Sequence, residues 1–138
     1  MAGLGILAAA VVVIATRPRA DSQAPTLAFD AVRIAADLIR LRIDGGDSGA
    51  SRRSLREAAR QIEDRTLSRA LVAFADGKLE AAAREPAENP FERGLRGWVL
   101  VELGRRPEAG EELRQALKDA PAEWEFRPLF ESALRKAE

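Results

Sequence analysis

Residues 90–121 read PFERGLRGWVLVELGRRPEAGEELRQALKDAP, and this stretch decides the fold class. Phe91, Leu95, Trp98 and Val99 recur at spacings of one, three and four, the apolar stripe of an amphipathic helix over Phe91–Leu103. Gly104 is a natural C-terminal cap, because glycine takes the left-handed conformation that ends a helix without a steric penalty. Pro107 suits the first turn of a second helix, where its missing N–H is no loss. Ala109, Leu113, Ala116 and Leu117 carry that helix's stripe, and Pro121 closes it. Two helices joined by a short glycine turn make a hairpin.

The same punctuation extends outward in both directions. Thr26 is an N-cap candidate for a helix over Leu27–Ile43, whose apolar positions include Ala31, Val32, Ala35, Leu38, Ile39 and Ile43. Asp44, Gly45 and Gly46 stop it. Ser54 and Glu57 match a capping box, so a further helix is expected from Leu55 through Ile62 to Phe74, with Asp64–Thr66 as a break and Gly77 as its end. A short Ala-rich helix follows from Leu79 to Glu85 and stops at Pro86. Downstream, a last helix begins near Pro128 and carries Leu129, Phe130, Ala133 and Leu134. No segment alternates with period two for long enough to form a strand. The chain reads as all-α, with a helical domain at 27–138 preceded by a linker at 17–26.

Composition narrows the chemistry. The 138 residues suit one domain. Lys plus Arg equals Asp plus Glu at 22 each, and this balance argues against a nucleic-acid binder, which carries a basic excess. The chain has no Cys, His or Tyr, so disulfides, zinc fingers and triads built on His or Cys are excluded by counting. Gly46-Asp47-Ser48-Gly49 carries the residues of a serine-nucleophile motif, but that chemistry needs a base to take the serine proton. A phosphate cradle would need Gly-Lys-Ser/Thr opening a helix, and this loop offers acids instead. No carboxylate pair stands apart from the helix-face background, and no cofactor or metal is implied. Arg outnumbers Lys by 19 to 3, and most of these arginines are expected as solvated partners of acids, at about 0–1 kcal/mol per pair.

An internal repeat accompanies the hairpin. Gly77-Lys78-Leu79-Glu80-Ala81 resembles Gly104-Arg105-Arg106-Pro107-Glu108-Ala109, with the two glycines 27 residues apart. The stretch 90–121 resembles a tetratricopeptide repeat through Gly97, Leu100, Gly104, Ala109, Leu113, Ala116 and Pro121. Gly97, Ala109 and Ala116 would permit close helix crossing, with Leu100 and Leu113 between them. Arg93 and Arg96 stand where the family prefers apolar residues. The unit at 66–89 looks like a truncated copy, seven residues short of the family's 34-residue period. The other helices and the segment with Trp124 and Phe126 are then caps or extra layers. The resemblance implies a concave groove lined by first helices that binds a peptide or helix of a partner. It places Phe91, Trp98, Val101 and Glu102 on that groove as candidate partner-binding residues.

The N-terminal 16 residues, MAGLGILAAAVVVIAT, contain no charge, and Arg17 and Arg19 follow. Fifteen of them as a helix would span about 22 Å, short for a bilayer core of about 30 Å but long enough if the flanking arginines snorkel. No basic region precedes the run, as a cleaved signal peptide would have. Residues 1–16 are therefore expected to be an uncleaved single-pass anchor in the lipid bilayer. The arginine flank places the remainder in the cytoplasm by the positive-inside rule. Gly5 and Ala9 form a small-xxx-small pair suited to packing against another transmembrane helix. The expected protein is a non-catalytic membrane-anchored adaptor or accessory subunit of a larger membrane complex. The alternative is a secreted or periplasmic binding domain released by signal cleavage, and the mass of the mature N-terminus separates the two.

Overall fold

The computed structural model describes residues 19–138. They form seven helices: α1 (Arg19–Ile43), α2 (Gly49–Arg60), α3 (Arg65–Ala75), α4 (Leu79–Arg84), α5 (Pro90–Glu102), α6 (Arg106–Asp119) and α7 (Arg127–Ala137). Among the described residues there is no strand, so the all-α expectation holds. No helix among them is long and apolar enough to cross a membrane. The apolar run 1–16, with Gly5 and Ala9, lies outside the described residues.

Each hairpin corner is built the same way. Gly45, Gly77 and Gly104 have φ of 87°, 74° and 79°. At each, the glycine N–H reaches the carbonyl three residues back, and the next N–H reaches the carbonyl five residues back: Gly45 to Arg42 and Gly46 to Leu41, Gly77 to Phe74 and Lys78 to Ala73, Gly104 to Val101 and Arg105 to Leu100. This paired bonding satisfies two carbonyls that a helix end would otherwise leave open. The described residues thus form three helical hairpins in succession, α1/α2, α3/α4 and α5/α6, followed by α7. The sequence displays two of them.

Two expected boundaries move. Helix α1 begins at Arg19, so most of the expected linker 17–26 is helical. Pro25 lies inside it, although an interior proline removes its own N–H donor and crowds the carbonyl four residues back. Helix α2 is capped by Ser48, not Ser54. The Ser48 hydroxyl accepts the Ser51 N–H at 3.1 Å, and Asp47 accepts the Ser48 N–H at 2.8 Å. Ser54 and Glu57 lie inside the helix, since a cap six residues earlier leaves no open N–H groups for them to serve. The break near Asp64 does occur: its side chain accepts the Leu67 N–H at 3.1 Å and starts α3.

The helices share one core, led by Phe74, Phe130, Leu38, Ile39, Leu55, Leu71, Leu113 and Leu129. Burial of each such side chain contributes about 1.5–3 kcal/mol. Helices α5 and α6 form the most extensive pair. A Cβ on Gly97 would lie 2.6 Å from Leu113 Cγ, so the two helix surfaces meet at the bare glycine. Gly94 does the same for α7, whose Phe130 ring stands 2.6 Å from the position a Cβ would take. Helix α1 packs on α2 and on α7, and Arg33 bonds Glu125 at 3.0 Å. The first described helix therefore meets the last.

Candidate functional site

The four residues expected on a groove all lie on α5, and Arg42 of α1 reaches the last of them, Glu102. Trp98 is 4% exposed and Phe91 8%. Both are buried: Phe91 meets the Phe126 and Phe130 rings, and Trp98 bonds Glu102, which Arg42 of α1 also holds.

Trp98 and Glu102 are brought together one helical turn apart. The Trp98 indole donates from Nε1 to Glu102 Oε2 at 2.7 Å. Arg42 of α1 donates from Nη2 to Glu102 Oε1 at 2.6 Å and from Nε to Oε2 at 3.3 Å. The Glu102 side chain is only 12% exposed, so its charge is held by this fork and not by water. The hydrogen bond to Glu102 holds the Arg42 guanidinium above its ordinary pKa, against the opposing effect of burial. Arg42 also reaches the Gly46 carbonyl at 3.3 Å and lies 3.8 Å from Asp47. The α1–α2 turn, α1 and α5 thus meet at one guanidinium. Asp47 in turn is held below the usual carboxylate range, first by the Arg52 side chain bonding it at 2.8 Å.

Phe91 belongs to a different cluster at the other end of α5. Its ring meets Phe126 edge-on at 5.3 Å and Phe130 at 5.7 Å, while Trp124 stacks on Phe130 at 5.5 Å. Such aromatic pairs stabilise by about 0.5–1.5 kcal/mol beyond burial. Val101 is half-buried beside the core. The four residues therefore divide into an aromatic cluster at the start of α5 and a polar cluster at its end.

Arginine does work that sequence reasoning missed. Arg52 donates to the Phe74 and Ala75 carbonyls at the end of α3, at 3.2 and 3.1 Å. Arg96 donates to Ala83 and Glu85 at the end of α4, at 3.3 and 3.2 Å, and to Glu112 of α6 at 3.3 Å. Arg127 donates to Leu117, Ala120 and Pro121 at the end of α6. Each guanidinium caps carbonyls at the end of a helix other than its own. Between α4 and α6 a charged cleft of about 340 Å³ is lined by Glu80, Arg84, Arg96, Arg105, Glu108 and Glu112. Among the described residues no group of His, Cys, Asp or Glu is arranged to hold a metal.

Comparison of this chain with protein-family models, with curated proteins and with solved structures gives no match.

Proposed function

We propose that this chain is a non-catalytic, membrane-anchored helical-repeat adaptor or accessory subunit that holds another protein within a larger membrane complex. The observation that carries the reading is the thrice-repeated hairpin corner at Gly45, Gly77 and Gly104, on a chain whose first 16 residues hold no charge. Repeated hairpins with a tetratricopeptide-like third unit are a scaffold for protein contacts. An uncharged run next to Arg17 and Arg19 supplies the bilayer contact. A transmembrane helix this short is less costly when it packs against neighbours, and Gly5 and Ala9 offer a face for that.

The test is purification of the full-length protein from membranes in mild detergent, followed by native electrophoresis. The chain is expected to resist carbonate extraction and to migrate with other subunits. Gly5→Leu or Ala9→Leu is expected to weaken that association within the bilayer. Release by carbonate, or migration as a lone monomer that neither substitution alters, would sink the reading. A mature chain lacking residues 1–16 would favour a released binding domain instead.

A further inference from the structure

Aromatic rings that the core does not fully enclose gather along one edge of the described residues. Among the described side chains, Phe29 is the large hydrophobic one left exposed, at 46%. It stands on α1 opposite the face that buries Ala31, Ala35, Leu38 and Ile39. Arg33, Asp37 and Arg40 continue its stripe at helical spacing, and all are exposed. The Arg33 guanidinium lies over the Phe29 ring, 5.3 Å from its centre. The same side chain bonds Glu125 in the loop between α6 and α7. Trp124 and Phe126 flank Glu125, both half-buried, with ring centres 5.6 Å apart. A shallow cleft of about 100 Å³ joins the stripe to the loop, lined by Arg33, Ala36, Asp37, Arg40, Glu125 and Phe126.

We propose that this edge, Phe29 with Trp124 and Phe126, lies in the headgroup layer of the bilayer that residues 1–16 enter, so that α1 runs along the membrane surface. The occupant is a zwitterionic phospholipid surface. Tryptophan is enriched in that layer because its ring is apolar and its N–H is polar. Arginine suits it too, with its stem along apolar surface and its head in water. The charges lining the cleft cancel, Arg33 and Arg40 against Asp37 and Glu125, so the edge has no basic excess with which to select anionic lipid. The chain's own length sets the geometry. The uncharged run ends at Thr16 and α1 begins at Arg19, with Arg17 and Pro18 between them. Phe29 lies ten residues beyond Arg19, about 15 Å of helix. The headgroup layer is about 5–8 Å thick on each side, so an α1 standing along the membrane normal would carry Phe29 out of it. Laid along the surface, α1 keeps Phe29 and the α6–α7 loop within it. The proposal rests on the anchor reading and adds how the helical domain sits on the bilayer.

The experiment reconstitutes the full-length chain in phosphatidylcholine vesicles whose acyl chains carry bromine close to the headgroup, a contact quencher of tryptophan. The chain has two tryptophans, and Trp98 is buried, so quenching reports Trp124. Brominated lipid is expected to remove most of the Trp124 emission, and Trp124→Phe is expected to abolish the quenched component. Phe29→Glu is expected to restore much of that emission and to leave thermal unfolding unchanged, because the ring it replaces is exposed. Adding phosphatidylglycerol is expected to change nothing; quenching that needs the anionic lipid would overturn the zwitterionic fit. Unquenched emission from a chain that floats with the vesicles would overturn the proposal and leave the anchor reading standing. Quenching that persists in Trp124→Phe, or is unaltered in Phe29→Glu, would overturn it too, by placing the lipid contact elsewhere. A chain that does not float with the vesicles sinks the anchor reading, and this proposal with it.

Discussion

Hairpins α3/α4 and α5/α6 share a corner and differ in everything after it. Both first helices end on a glycine near φ +75°, and both second helices open after a basic residue, Lys78 or Arg105. Yet α4 has 6 residues and α6 has 14. The short one stops before Pro86, and its open carbonyls at Ala83 and Glu85 are taken by Arg96 from the neighbouring α5. A helix too short to be stable alone is thus completed by a side chain from the next unit. The long one is closed in the same way, by Arg127 of α7 on Leu117, Ala120 and Pro121, and gains besides the crossing at which Gly97 lets Leu113 settle against bare backbone. A second helix of either length is thus finished by an arginine of the helix that follows it.

The largest effect expected from this contrast is Leu113→Ala. Leu113 is fully buried at the α5–α6 crossing, so its truncation should lower stability by about 2–5 kcal/mol in chemical denaturation. Gly97→Ala and Ala116→Leu should each cost about 1–3 kcal/mol by overpacking the same pair of helices. An unchanged midpoint for either would show that the crossing relaxes more freely than its geometry suggests. Arg96→Ala should cost about 1–3 kcal/mol, since it opens buried carbonyls and leaves Glu112 without its nearest donor. Amides of α4 should then exchange faster than those of α6; equal acceleration in both would break the idea that Arg96 serves the short helix. Gly77→Ala and Gly104→Ala should cost similar amounts, about 1–2 kcal/mol each, because both corners require a left-handed residue and both are otherwise open.

The smallest effect concerns acid. Asp47 is held below the ordinary carboxylate value by Arg52, so it contributes stability above the unfolded pKa and loses it as pH falls through the lower folded value. The amides of the first turn of α2 should lose protection over that acid window, and Asp47→Asn should remove the dependence. An identical acid profile in Asp47→Asn would assign the loss to other carboxylates.

Local grammar made much of the fold legible. Gly77 and Gly104 mark their corners because only glycine accepts positive φ cheaply, and Pro90, Pro107 and Pro128 mark first turns because proline is tolerated there. The burial of Ala109 and Ala116 followed from their helical spacing with Leu113. What stayed hidden depended on distant partners. The Ser54–Glu57 pair satisfies a local pattern as well as Ser48 does, and only the flanking Asp47 and Arg52 contacts decide between them. Gly94 looks like an incidental break in a helix until Phe130, 36 residues later, needs the space. Phe91 and Trp98 were legible as apolar, but nothing within α5 announces the Phe126 and Phe130 rings that meet the first or the Arg42–Glu102 pair beside the second. Arginines read as ion-pair partners do pair with acids, and Arg52, Arg96 and Arg127 serve also as caps, a role no sequence spacing encodes.

One consequence follows from the contact between α1 and α7. Stacked hairpins normally have two free ends, and such a chain can lengthen in evolution by copying a unit at either one. Here Arg33 on the first described helix pairs with Glu125 just before α7, and the two helices touch. A hairpin inserted between those two helices would have to give up that contact.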